Sequence, residues 1–146
     1  MAQFNSKHGI VSAPQAALFM AFTDMRNFVN MLPEDQKRSA VADFDTLRGN
    51  VSGMDVGVRI TRREPYSYIE IQDDGAPFHF TLMLHFEPAS EPAKTDFSVD
   101  LEADLNVMLK MMLGGKITQV LDSIVDSLVA LSEGRRPEGM PEDFHF

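Results

Sequence analysis

The stretch Asn106–Leu131, NVMLKMMLGGKITQVLDSIVDSLVAL, decides the fold. Leu109, Leu113, Ile117, Val120, Leu121, Ile124, Leu128 and Leu131 recur at spacings of three and four, the period that gathers side chains on one face of an α-helix. Lys116, Asp122 and Asp126 fall away from that stripe. Gly114-Gly115 interrupts it. Each Gly costs a helix interior about 1 kcal/mol against Ala, so the pair predicts a kink or a close packing of the helix on its support. Glu133-Gly134 reads as the stop.

Such a helix needs an apolar surface to lie on, and the preceding chain supplies one. Phe97, Val99, Leu101, Ala103 and Leu105 alternate with Ser98, Asp100, Glu102 and Asp104; before a Pro-containing loop (Glu87–Lys94), Phe78, Phe80, Leu82, Leu84 and Phe86 alternate with His79, Thr81, Met83 and His85. Strict alternation means one buried and one wet face, as in an antiparallel sheet. Further back, Asp73-Asp74-Gly75 is a turn, Tyr66–Gln72 a strand, Glu64-Pro65 a turn, and Val56, Val58 and Ile60 another strand. Short strands are predicted near 40–45 and 47–53. At the N-terminus, Gln3–Val11 reads as a strand. Ser12-Ala13-Pro14 starts a helix carrying Leu18, Phe22, Met25 and Val29; Leu32-Pro33 ends it, and Pro33–Gln36 can open a short second one.

The 146 residues fit one domain, expected over 1–134, with a Pro/Gly-rich polar tail over 135–146. A 44% hydrophobic and 24% charged composition is that of a globular protein able to build a core. There is no Cys, which removes disulfides, thiol catalysis and thiolate metal sites. The start MAQFNSKHGI lacks the apolar centre of a signal peptide, and no apolar run reaches the roughly 20 residues that span a bilayer, so a cytoplasmic location without membrane insertion is expected. Net charge is −9, and residues 76–146 hold five Lys/Arg against twelve Asp/Glu, 5 − 12 = −7. Such a surface repels phosphate backbones, so nucleic acid is not an expected partner, a local patch at Arg59, Arg62 and Arg63 notwithstanding.

Several segments carry a family resemblance. Ile10-Val11-Ser12-Ala13-Pro14 resembles a first strand running into "apolar-x-Ala-Pro" before helix one, and Phe28–Pro33 the exit of that helix toward "leu-pro". Val51-Ser52-Gly53-Met54 with Val56–Ile60 resembles a Gly-containing hairpin and third strand, Glu64-Pro65 the turn between the middle strands, and Asn106–Leu131 a gripping helix. Together they resemble the START-like (SRPBCC, polyketide cyclase/dehydrase and lipid-transport) superfamily over nearly the whole chain. The resemblance implies an α+β helix-grip fold: a curved seven-stranded antiparallel sheet wrapped around a long C-terminal helix, two shorter helices after the first strand, and a cavity between sheet and helix. Members bind lipids, sterols, plant hormones, polyketides or quinones. Some catalyse cyclisation or dehydration, and a Hsp90-activator branch works through protein contacts, so function does not follow from fold.

Among residues that could carry chemistry, His79 and His85 sit six apart on one strand, about 20 Å at ~3.3 Å per residue, too far to share a metal. They read as surface histidines, and the Asp100, Glu102, Asp104 row as a wet strand face. His8 alternates with Phe4, Ser6 and Ile10; if Ile10 points inward, so does His8, where an imidazole could anchor a ligand or act as a base, with Arg62 or Tyr68 beside it. No Gly-x-Ser-x-Gly elbow or phosphate-cradling Gly loop is present, and neither metal nor cofactor is expected. Met108, Met111 and Met112, with Leu109 and Leu113, put adaptable apolar side chains at the start of the last helix.

The leading expectation is therefore a non-catalytic module for a small hydrophobic molecule (a lipid, quinone or polyketide), held by His8, Phe78, Phe80, Leu82, Leu84, Phe97, Val99, Leu101, Met108, Leu109, Met112 and Leu113. A cyclase- or dehydratase-like enzyme using His8 is the first alternative. The second is a protein partner or homodimer engaged through the acidic sheet face or through the tail with Phe144 and Phe146.

Overall fold

In the computed structural model, residues 2–29, 37–51, 54–76 and 78–134 are described. The elements are β1 (Ala2–Asn5), β2 (Gly9–Val11), α1 (Gln15–Phe22), α2 (Arg26–Val29), β3 (Val41–Ala42), β4 (Thr46–Val51), β5 (Met54–Glu64), β6 (Tyr68–Asp73), β7 (Phe80–Pro88), β8 (Thr95–Ala103) and α3 (Val107–Ser132). The strands form one antiparallel sheet in the order β1-β8-β7-β6-β5-β4-β3, with β2 also paired to β8. The α+β helix-grip architecture is thus present, with the long last helix packed against β1, β2 and β8. The Pro33–Gln36 helix and the tail fall outside the described residues.

The sheet has eight strands where seven were expected, because the first one is split. β1 pairs Phe4 with Leu101 and Asn5 with Asp100, whereas β2 pairs Gly9 with Phe97 and Val11 with Thr95. Position sums rise from 105 to 106, so one extra residue is inserted across Ser6–His8. An inserted residue reverses which parity faces the core. Even-numbered Ala2 and Phe4 face inward in β1, while odd-numbered Val11 does so in β2, where it is fully buried and Ile10 is 47% exposed. Ser6 and the strand bond reciprocally, Ser6 N–H to Val99 O and Val99 N–H to Ser6 Oγ, both at 2.8 Å. Lys7 turns to the helix, its N–H donating to Asp122 Oδ1 (2.7 Å) and its Nζ lying 2.6 Å from Asp126.

The helix expected to run from Pro14 to Leu32 is two pieces. Asp24 Oδ1 accepts the Arg26 N–H at 3.0 Å, a local side-chain bond that starts α2 afresh after a turn at Thr23–Met25. The interior is centred on Phe22, which stacks at 6.1 Å from both Phe86 and Phe97, themselves 5.5 Å apart. Around these lie Leu18, Ile60, Ile69, Ile71, Leu84 and Val99 from α1 and the sheet, and Leu121, Val125 and Leu128 from α3. The last three follow the i, i+4, i+7 spacing that turns one helix stripe inward. Complete burial of each such side chain stabilises by about 1.5–3 kcal/mol.

α3 begins where the sequence places it. Asn106 Oδ1 accepts the Leu109 N–H at 2.8 Å as the N-cap, and Gly134 follows the last turn at φ +82°. The glycine pair does not break it: α3 is continuous through Gly114 and Gly115. A Cβ on Gly114 would make ordinary contact with Phe4, and one on Gly115 would meet nothing. The close approach of helix and sheet occurs instead at Gly9, where a Cβ would lie 2.5 Å from Val125 Cγ1 and 2.8 Å from Val129 Cγ2.

Candidate functional site

Packing between sheet and helix is graded along α3. At its C-terminal half the interior is filled: Leu84, Phe97 and Val99 are buried with Val125 and Leu128. Leu82 and Leu101 pack half-buried at the margin of this core. Toward the start of the helix, Phe78, Phe80, Leu109 and Leu113 are half-buried and lie beyond the central cluster.

That end opens as a groove of about 420 Å³ where β7 begins, β8 ends and α3 starts. The ladder runs one step past Phe80 and Ala103, with Asp104 N–H donating to His79 O at 2.8 Å, and the chain then turns through Leu105 and the Asn106 cap into the helix. Ala76, Phe78, Leu105 and Leu109 give the groove apolar walls; His79, Asp104 and Asn106 supply its polar groups.

His79 is held by Asp73, with Nδ1 at 2.9 Å from Oδ2, while Asp73 Oδ1 accepts the Phe80 N–H at 2.8 Å. Partial burial pushes the Asp73 carboxyl up. The hydrogen bonds from the Phe80 amide and His79, with the attraction of the imidazolium, outweigh it, so the net shift is below the usual carboxylate value. The hydrogen bond and charge of Asp73 hold the His79 imidazolium above its ordinary range. The groove therefore combines an apolar floor with a hydrogen-bonding imidazole fixed in orientation.

Of the residues expected to line a pocket, Phe78 and Leu109 line this groove; the Phe80 ring lies behind it, 5.8 Å from that of Phe78. Leu84, Phe97 and Val99 instead belong to the filled core. Met108 and Met112 lie on the outward side of the helix with Met111 and Val107, exposed. The correction for the two methionines follows from the helix period: the stripe through Leu109, Leu113 and Ile117 faces the sheet, and positions 108, 111 and 112 do not.

His8 requires a correction as well. Its side chain is 69% exposed, on the outer face of the sheet, with Nδ1 at 2.8 Å from Asp96 Oδ1. The register shift across Ser6–His8 is the reason, since it sends both His8 and Ile10 outward. The companions proposed for a His8 chemistry also face outward. Tyr68 donates to Glu70 Oε2 at 2.9 Å, and Arg62 lies 5.7 Å from the Tyr68 ring centroid. Burial, then the bond to Glu70, push the Tyr68 hydroxyl up to about 12, far from any role as a neutral-pH base. A cavity acid/base built on His8, Arg62 and Tyr68 is therefore not present.

The three arginines read as a local patch are each paired: Arg59 with Asp74, Arg62 with Glu64 and Arg63 with Asp45. Ala76, His79, Asp104, Leu105 and Asn106 are the groove residues that sequence reading did not place in a site. Alternation put His79 on the wet face, and its side chain is indeed exposed; what alternation did not show is that it sits at the edge of this groove, just before β7. The signal available was the helix cap itself, since the segment entering a helix must cross from the sheet.

The sequence matches no protein-family model and no curated protein. Solved structures do match in fold. A solution NMR structure from Thermobifida fusca superposes with a TM-score of 0.69 at 13% identity, covering 94% of this chain and 99% of that one. An uncharacterized protein from Bacillus thuringiensis gives 0.63 at 10% identity, over 87% and 98% of the two chains. The Aha1 dimer from Colwellia psychrerythraea gives 0.58 at 13%, over 88% and 97%. At these identities the likeness establishes the START-like fold alone.

Proposed function

We propose that this START-like chain binds a small hydrophobic molecule with one polar end, of lipid, quinone or polyketide type, and does so without transforming it. The observation that carries the reading is the groove of about 420 Å³ at the start of α3, walled by Phe78, Leu105 and Leu109 with His79 at its edge. Its volume exceeds the roughly 300 Å³ at which ligand pockets begin, and apolar walls with a few placed polar groups are their usual chemistry. An apolar body lies against Phe78 and Leu109, and a carbonyl, hydroxyl or carboxylate meets the His79 ring. The half-buried Phe80 and Leu113 extend the apolar surface toward the core. Titration with the neutral apolar dye N-phenyl-1-naphthylamine tests the reading. Leu109→Glu is expected to weaken dye binding about tenfold, equivalent to about 1.4 kcal/mol. Equal affinity for the two proteins would place binding elsewhere.

A protein contact is the second reading, favoured by the exposed Val107, Met108, Met111 and Met112 on the outward face of α3. Adjacent exposed apolar side chains of this kind mark interaction surfaces. Sedimentation that finds a monomer at every concentration would remove the homodimer from this reading.

A further inference from the structure

The outward side of α3 carries a row of side chains that the fold does not use. Met108, Met112, Lys116 and Val120 follow at intervals of four, which stacks them on one side of the helix, and all are exposed. Val107 and Met111 stand exposed beside the start of the row. Single exposed apolar residues are ordinary, but a contiguous set marks a contact surface.

Charge narrows what covers it. The chain carries −9, yet residues 105–121 hold Lys110 and Lys116 and no Asp or Glu. Lys7 and Lys94 are paired with Asp126 and Glu91, whereas Lys110 and Lys116 have no carboxylate partner among the described residues. Two copies meeting through this face would bring the lysines of both together with no acid between them, which opposes a homodimer here. An occupant that combines apolar groups with carboxylates is complementary.

Residues 135–146, RRPEGMPEDFHF, have that chemistry, with Met140, Phe144 and Phe146 on either side of Glu142 and Asp143. Gly134, at φ +82°, turns the chain off the end of α3. From Gly134, Val120, Lys116, Met112 and Met108 lie back along the helix by about 21, 27, 33 and 39 Å at ~1.5 Å per residue. An extended polyproline-type chain, which Pro137 and Pro141 favour, advances ~3.1 Å per residue. It reaches about 19 Å at Met140, about 28 Å at Asp143, and about 31 and 37 Å at Phe144 and Phe146. The apolar and acidic positions therefore fall opposite Val120, Lys116, Met112 and Met108 in turn.

We propose that residues 135–146 run back along α3 in extended form, with Met140 at Val120, Asp143 at Lys116 and the Phe144 and Phe146 rings on Met112 and Met108, so that the chain covers its own contact face and a partner must displace it. The inference rests on the reading of this face as a contact surface and commits that surface to one occupant. The rings supply the attraction through apolar burial and sulfur–aromatic contact, while the exposed ion pair contributes little and sets the register.

NMR of the full chain with a nitroxide on Gln119→Cys, the one thiol in a protein that otherwise has none, tests the proposal. Position 119 is exposed beside the row. The amide signals of residues 140–146 are expected to broaden strongly. Phe144→Ala with Phe146→Ala should restore them, and Lys116→Glu should restore them in part. Adding Glu142→Lys and Asp143→Lys to Lys116→Glu should bring the broadening back. Broadening that neither the Phe nor the Lys116 substitution alters would reflect the tether alone and overturn the proposal. So would broadening that passes between copies in a mixture of spin-labelled and isotope-enriched protein, since the segment would then lie on a second molecule. Self-association in sedimentation with residues 140–146 unbroadened would overturn the proposal and leave the contact reading standing, so the two failures are told apart.

Discussion

Gly9 and Gly115 show how differently one residue type can matter. A Cβ at Gly9 would press into Val125 and Val129, both β-branched and stiff, so the helix would have to move off β2. Gly9→Ala is expected to cost about 1–3 kcal/mol in urea unfolding, the range for overpacking a core. At Gly115 the added methyl meets nothing, and Gly115→Ala should gain about 1 kcal/mol from helix propensity alone. A gain at Gly9 or a loss at Gly115 would mean that the packing described is wrong. His79 offers a pH test. Its folded pKa is raised, so the pair with Asp73 stabilises fully below the unfolded His value near 6.5 and loses this as pH rises through the raised value. Asp73 is lowered, so its contribution is present above the unfolded value near 3.8 and is lost as pH falls through the lowered one. His79→Gln should therefore lower the urea midpoint near pH 5.5 and leave it unchanged near pH 8.5; an equal loss at both would deny the pair. The His8 side was not legible because alternation was counted from Phe4. A one-residue insertion becomes visible only when the partner strand supplies the register.

At the scale of elements, α3 and the β7–β8 pair were the most legible. Their apolar periods run long, and the Asn106 cap and the Glu133-Gly134 stop mark the helix ends to within a residue. The edges were less so. β3 is two residues long, too short for any period to register, and the split of β1 from β2 depends on a bulge. The break between α1 and α2 turns on Asp24, whose side chain outcompetes the helical ladder, and a pattern of Leu18, Phe22, Met25 and Val29 reads straight across it. For α3 the stripe predicted the inward face except at Val120, which is exposed, and did not show how far along the helix that face is covered. Only its C-terminal half meets a filled core, and the groove exists because the N-terminal half does not. The glycine pair lies within that less covered half, which is why no close contact accompanies it.

For the whole molecule, the order of strands followed by a gripping helix was enough to place the chain among START-like folds, and superposition on solved structures agrees. The site was legible only in part. An interior apolar row was expected to form one continuous pocket, but close packing at Phe22, Phe86 and Phe97 fills one end and leaves the open end to Phe78, Leu105 and Leu109. Which end stays open depends on where α1 lands on β6 and β7, a long-range contact that no local period encodes. Native mass spectrometry of the freshly purified protein beside Leu109→Glu, with solvent extraction of whatever is released, tests the central claim most directly. The account expects a discrete hydrophobic molecule on the wild-type chain and its loss from the variant. An apo mass for both, or the same adduct on both, would contradict it.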